Sequence, residues 1–202
     1  MSISNIWVFA QITDGAASSA TLELLTKANS LGGTVTAFVA GSAGEGAAAF
    51  ADHGAAKIYE TGDLAGALPG AAVSAAMKSV IDGGDSPDLV MFPQNYEGRD
   101  VMSRLSVKLD RTVLTNSADV AVDGDSVSVI TPIFGGAKLV TSTFTGEAPH
   151  LAAFRPKSFE PAGGAGGAGD VVAAPVPDLG ATGGASVTAV HVEETSGPKL
   201  DE

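Results

Sequence analysis

Two hydrophobic rhythms alternate along the first hundred residues. Ile6-Trp7-Val8-Phe9-Ala10 is an unbroken apolar run followed by Asp14-Gly15. It gives way to Ala20, Leu24, Ala28 and Leu31, a three- and four-residue spacing that marks one buried helix face. Gly32-Gly33 then stops the helix, because a residue free to take positive φ terminates one readily. The alternation repeats with a strand over 35–40, an Ala-rich helix over 45–53 and a short strand over 57–60. A helix over 70–81 follows, with Val73, Met77 and Val80 or Ile81 on one side, then a strand over 88–93. A further helix over 99–109 turns Val101, Leu105 and Leu109 inward. Strands with no polar alternation are buried on both faces, which a parallel sheet covered by helices provides. Right-handed crossovers then give a doubly wound, mostly parallel, Rossmann-like α/β fold.

Beyond residue 111 the rhythm changes. Residues 112–122 and 126–143 are rich in Val, Thr and Ile with partial two-residue alternation, and Asp123-Gly124-Asp125 between them signals a short hairpin. Gly135-Gly136 splits the second run into two strands, so an antiparallel extension joins the parallel sheet. His150-Leu151-Ala152-Ala153-Phe154 returns to a buried strand. The α/β core with its extension is therefore expected over 1–159. Residues 160–185, Gly/Ala/Pro-rich, read as a linker. Residues 187–192 alternate like a last strand, so 186–202 reads as that strand plus an acidic tail.

Composition narrows the chemistry. The 202 residues carry 11 Lys or Arg against 23 Asp or Glu, a formal net charge of −12. That balance argues against nucleic acid and anionic membrane surfaces, which attract basic side chains. With no cysteine, disulfides, thiolate zinc sites, iron–sulfur clusters and a Cys nucleophile are excluded. No apolar stretch approaches the length that crosses a bilayer, and the first residues lack a basic signal-peptide region, so a soluble cytoplasmic protein is expected.

Few residues then stand out. Gly164, Gly166 and Gly169 spell G-x-G-x-x-G, but that fingerprint means dinucleotide binding only between a strand and a helix, and here prolines follow. The turn Gly41-Ser42-Ala43-Gly44 leaves a strand for a helix, and reads either as a phosphate cradle or as an ordinary helix start. His53, His150 and His191 lie far apart without ligand spacing, Asp82 and Asp85 flank Gly83-Gly84 like a helix terminus, and Trp7 reads as core packing. No G-x-S-x-G elbow occurs, so no catalytic or metal-binding residue is assigned. Four of the eleven basic residues, Arg99, Arg104, Lys108 and Arg111, fall within thirteen positions, the last three on one expected helical face. They are either a solvated surface or a seam for an acidic partner or anion.

The segment Pro93-Gln94-Asn95-Tyr96-Glu97-Gly98-Arg99-Asp100-Val101-Met102-Ser103-Arg104-Leu105 makes the chain specific. With Thr131-Pro132-Ile133-Phe134-Gly135-Gly136 and Phe154-Arg155-Pro156-Lys157-Ser158-Phe159, it resembles the α-subunit of electron transfer flavoproteins over about 1–195. The resemblance implies an adenine-nucleotide-α-hydrolase-like fold and a β-subunit partner. It implies an electron carrier rather than an enzyme, passing electrons from dehydrogenases such as acyl-CoA dehydrogenases to a respiratory acceptor, as in fatty acid β-oxidation. It places FAD chiefly on a C-terminal domain for which this chain has no positions, and AMP on the β-subunit. The alternative is a stand-alone nucleotide-binding or interaction module on the same fold.

Overall fold

The computed structural model describes residues 3–189 and 191. Strands and helices follow in the expected succession: β1 (Asn5–Ala10), a small antiparallel pair β2 (Ile12–Thr13) and β3 (Ala16–Ala17), α1 (Ser19–Ser30), β4 (Thr34–Val39) and α2 (Gly46–Asp52). Next come β5 (Ala55–Glu60), α3 (Pro69–Asp82), β6 (Leu89–Pro93) and α4 (Tyr96–Leu109). The remainder is β-rich: β7 (Val113–Ser117), β8 (Asp119–Asp123), β9 (Ser126–Ile133), β10 (Lys138–Thr143), β11 (His150–Phe154) and β12 (Asp170–Ala173).

Seven strands make one sheet in the order β12-β5-β4-β1-β6-β11-β7, every pair parallel. The chain winds from β1 outward through β4 to β5, then crosses to β6 on the other side of β1. This is the doubly wound α/β architecture, and its direction reverses beside β1. Alternate residues of each strand feed two cores, one on each face. Ile6, Val8, Leu24, Leu25, Phe50 and Ile58 pack on one side, and Trp7, Phe9, Phe38, Met77, Phe92 and Leu105 on the other. Trp7, Phe38 and Tyr59 form a triangle of rings with centroids 5.5–5.8 Å apart, and the Trp7 indole N–H has no hydrogen-bond partner there.

The antiparallel extension is a separate three-stranded sheet, β10-β9-β8. Residues 112–122 divide between the two sheets: β7 joins the parallel one and β8 the antiparallel one, with Asn116 in the left-handed region (φ 58°) beside the divide. Gly124 (φ 59°) opens the tight β8–β9 turn that Asp123-Gly124-Asp125 predicts.

Three expectations change at segment ends. Helix α4 starts at Tyr96 rather than 99, because the Asn95 side chain caps it by accepting from the Gly98 N–H at 2.9 Å. Residues 170–173, inside the segment read as linker, form β12 on the open edge of β5. The glycines before them are docked: the Asp52 carboxylate accepts from Gly164 N–H at 3.0 Å, its carbonyl accepts from Ala165 N–H at 2.9 Å, and Ala162 N–H reaches Thr26 Oγ1 at 3.1 Å. The strand expected over 187–192 is reduced among the described residues to a Ser186–Ala67 bridge and a Val187 N–H bond to Gly66. Val190, residue 192 and the acidic tail lie outside the described residues.

Candidate functional site

In open α/β sheets the crevice forms at the carboxyl ends of the strands where the winding reverses. Here that place is a cleft of about 490 Å³ lined by Gln11 after β1, Gly41 and Ser42 after β4, Asp63 and Gly66 after β5, and Glu97 in α4. Gln11 ties the two halves together: its Nε2 donates to Glu97 at 2.5 Å and its Oε1 accepts from Asn95 at 2.6 Å.

The turn after β4 resolves which of its two readings holds. Its donors are already used by the chain itself. Glu60, the last residue of β5, accepts from the Ala43 N–H at 2.8 Å and the Ser42 hydroxyl at 3.1 Å, while Gly41 N–H donates to Thr61 Oγ1 at 2.8 Å. A carboxylate therefore occupies the position an incoming phosphate would need. Asp63 and Glu97 add negative charge, and among the described residues no Lys or Arg lines the cleft. The residues do not fit AMP or the pyrophosphate of FAD, since either would meet like charge with no cation to offset it.

The four basic residues do not form one seam. Helix α4 ends at Leu109 and Asp110 takes a left-handed cap conformation (φ 53°), so Arg111 leaves the helical face expected for it. Its guanidinium turns back onto the carbonyls of Leu109, Asp110 and Ala148 at 3.1–3.3 Å, and onto Glu147. Arg104 pairs with Asp100 at 2.7 Å, and that carboxylate packs directly on Gly70 in the first turn of α3. Arg99 lies over the exposed Tyr96 ring at 5.3 Å. Lys108 borders the α3–α4 groove.

The remaining titratable groups serve the fold. At the amino-terminal edge of the sheet Asp85 accepts from Lys57 Nζ (2.8 Å), Tyr59 Oη (2.6 Å) and Asn5 Nδ2 (3.0 Å). Burial alone would raise the Asp85 pKa, but the Lys57 and Tyr59 bonds more than reverse this and lower it. The Asp85 bond raises Lys57 against the effect of burial, and burial together with the same carboxylate raises Tyr59. Asp88, gripped by the Ser4 and Asn5 N–H groups and the Ser4 hydroxyl, is likewise lowered despite its burial. Burial, with Arg111 nearby, lowers His150, which stacks on Phe144 at 4.6 Å. His53 Nδ1 lies 2.8 Å from the Ala49 carbonyl, and no group of three His, Asp or Glu is placed to hold a metal among the described residues.

These features define a doubly wound α/β domain of nucleotide-binding architecture whose crevice is closed to anions by its own carboxylate. The chain belongs to the electron transfer flavoprotein family: the family's domain model, described as "Electron transfer flavoprotein domain", matches residues 6–179. It is 32% identical over 173 residues to "Electron transfer flavoprotein subunit alpha" of Syntrophomonas wolfei, covering 84% of this chain and 53% of that protein. Similarity extends to "Protein FixB" of Clostridium saccharobutylicum (29%) and "Electron transfer flavoprotein subunit alpha" of Clostridium acetobutylicum (28%), each over 77% of this chain and 48% of the relative. The chain spans about half the length of these relatives.

Sequence reasoning missed Glu60, because nothing marks a strand-terminal Glu as the ligand of a turn seventeen residues earlier.

Proposed function

We propose that this chain is the N-terminal scaffold of an electron transfer flavoprotein α-subunit, which docks a β-subunit and holds no flavin of its own. On this reading it is an electron-carrier component, not an enzyme. FAD is held by the remainder of a complete subunit and AMP by the β-subunit. The assembled carrier moves electrons from dehydrogenases, such as acyl-CoA dehydrogenases, to a respiratory acceptor in the cytoplasm. Residues 1–159 together with β12 act as one docking body, and Arg99 and Lys108 are the two members of the basic set still open to a partner.

The observation that carries this reading is the self-occupied crevice. A nucleotide-type fold whose turn is filled by Glu60, in a chain matching half of a flavoprotein α-subunit, suits a scaffold better than a nucleotide module. The test mixes the chain with a cognate β-subunit, FAD and the C-terminal half of a related α-subunit, then removes free ligand. Visible flavin absorbance is expected in the three-protein mixture and not in the chain alone. A stoichiometrically yellow chain, or tight calorimetric binding of AMP to it, would refute the reading in favour of the nucleotide module.

A further inference from the structure

The chain holds one Trp, two Tyr and no Cys, so few of its side chains can carry a one-electron oxidation. Trp7 and Tyr59 stand together in the core that α3 and α4 cover. Their ring centroids are 5.8 Å apart, and the Phe38 ring lies 5.5 Å from each. Contacts of this length are those of packed aromatic pairs. Tyr96, the other tyrosine, is 86% exposed on α4.

The two rings differ in where their protons can go. Trp7 is fully buried, and its Nε1–H has no hydrogen-bond partner among the described residues. Indole can only donate, and a buried donor left unpaired is uncommon enough to need a reason, a redox role among them. The Tyr59 hydroxyl instead donates to the Asp85 carboxylate at 2.6 Å, a short charge-assisted bond. Lys57 Nζ and Asn5 Nδ2 donate to the same carboxylate at 2.8 and 3.0 Å and hold it ionised. Oxidation makes either ring a far stronger acid. Tyr59 can pass its proton to Asp85 as it loses an electron, whereas Trp7 has no acceptor and stays a radical cation. A charge stranded in an apolar core is costly, so the electron is drawn from tyrosine to tryptophan.

We propose that Trp7, Tyr59 and Asp85 form a relay that carries one-electron oxidation out of the core to the edge of the sheet. A one-electron oxidant of the peroxyl-radical class takes an electron from Trp7 and is itself reduced to the peroxide anion. The Trp7 radical cation takes an electron from Tyr59, and the Tyr59 proton moves to Asp85 Oδ2. Trp7 is restored, Tyr59 is left as a neutral phenoxyl radical, and Asp85 becomes a neutral acid. Asp85 is part-exposed and releases that proton to water. Tyr59 reaches the surface with 7% of its area, and a small reductant of the ascorbate class returns one electron and one proton to it. The relay is independent of the scaffold role.

The test is a laser flash on the full chain at a wavelength that indole absorbs and phenol does not, with dissolved oxygen taking up the ejected electron. Transient absorption should show the indole radical giving way to a tyrosyl radical, more slowly in heavy water because a proton moves with the electron. Tyr59→Phe, which keeps the ring and its packing, should lose the tyrosyl signal and prolong the indole radical about tenfold or more. Asp85→Asn should slow the conversion about tenfold, as expected for a lost hydrogen bond to a charged group. Tyr96→Phe should change nothing. A wild-type indole radical that decays without a tyrosyl radical overturns the relay. So does a tyrosyl signal that survives in Tyr59→Phe or vanishes in Tyr96→Phe. Conversion as fast in Asp85→Asn as in the wild type removes Asp85 as the acceptor and overturns the relay as drawn. Should Asp85→Asn fold poorly, the wild type decides that step alone: equal rates in light and heavy water overturn it.

Discussion

Gly98→Ala should destabilise this protein, although an alanine in place of a helical glycine ordinarily stabilises by up to about 1 kcal/mol. Gly98 lies in the first turn of α4, and a Cβ there would stand 2.0 Å from the Pro93 carbonyl oxygen and 3.1 Å from its carbon. The obstacle is backbone at the end of a buried central strand, so it cannot swing aside. Relief requires α4 to lift from β6 by about an ångström, enough to forfeit a quarter to a half of each contact's dispersion energy. That helix carries Val101, Met102 and Leu105, all buried. Overpacking of a core costs about 1–3 kcal/mol, and a backbone obstacle belongs at the upper end. Less the propensity gain, the net loss is about 2 kcal/mol, a fall in Tm of about 4–8 °C for a chain of this size.

Gly70→Ala is the internal control. A Cβ there also collides, with the Asp100 carboxylate and its Cγ. That neighbour, however, is the end of a half-exposed side chain, free to rotate at the cost of an ion pair worth roughly 0.5 kcal/mol. Helix propensity offsets this, so Tm should move by no more than about 2 °C. Calorimetry gives Tm, and the fluorescence of the single Trp7, buried in the core that α4 covers, reports the same transition under urea. A Gly98→Ala protein as stable as the wild type, or a Gly70→Ala protein that falls as far, would refute the packing argument.

Two further outcomes follow from the same contacts. Asp52→Ala, which strips the carboxylate from Gly164, should cost about 1 kcal/mol; excision of 161–168 should cost more, because β12 and the buried Ala174 lose their tether. A urea midpoint unchanged by the excision would restore these residues to a linker. Stability should also depend on pH at both ends. The lowered His150 pKa contributes stability that fades as pH falls from about 6.5, and the lowered Asp85 and Asp88 values remove more below about 3.8. The raised Tyr59 and Lys57 values contribute stability that is complete below about 10 and fades above it. His150→Gln should flatten the slope between pH 5 and 6.5, as read from urea midpoints; an unchanged slope would remove His150 from the account.

The succession of strands and helices was legible because its signals are local. Five apolar residues in a row, or apolar residues three and four apart, decide an element without reference to distant chain. Two of the misreadings concern partners far away in sequence, and the third a helix end. Asp170-Val171-Val172-Ala173 looks like part of a linker between glycines and prolines, and becomes a strand because β5, more than a hundred residues earlier, offers an open edge. Glu60 looks like a strand end and becomes the ligand of the Gly41–Gly44 turn. Arg111 fits a helical face on paper, until Asp110 ends the helix one residue too soon.

The segment around Gly98-Arg99-Asp100 shows why resemblance and contact surface need not coincide. It carries much of the family likeness, and each of its parts has an internal reason. Asn95 caps α4 onto Gly98, Gly98 clears the Pro93 carbonyl, and Asp100 sits on Gly70 with Arg104 holding it. A carboxylate beside the first turn of α3 also complements the positive end of that helix. Reversing Arg104 or Arg111 would also set like charge against Asp100 or Glu147, so stability must be read beside binding in such variants. The antiparallel extension is the converse case. Its far end holds little of the core together, and Phe134 stands exposed there at a φ of 51°. Phe134→Gly should therefore leave the urea midpoint unchanged or raise it, and a clear fall would show that the ring supports the fold after all.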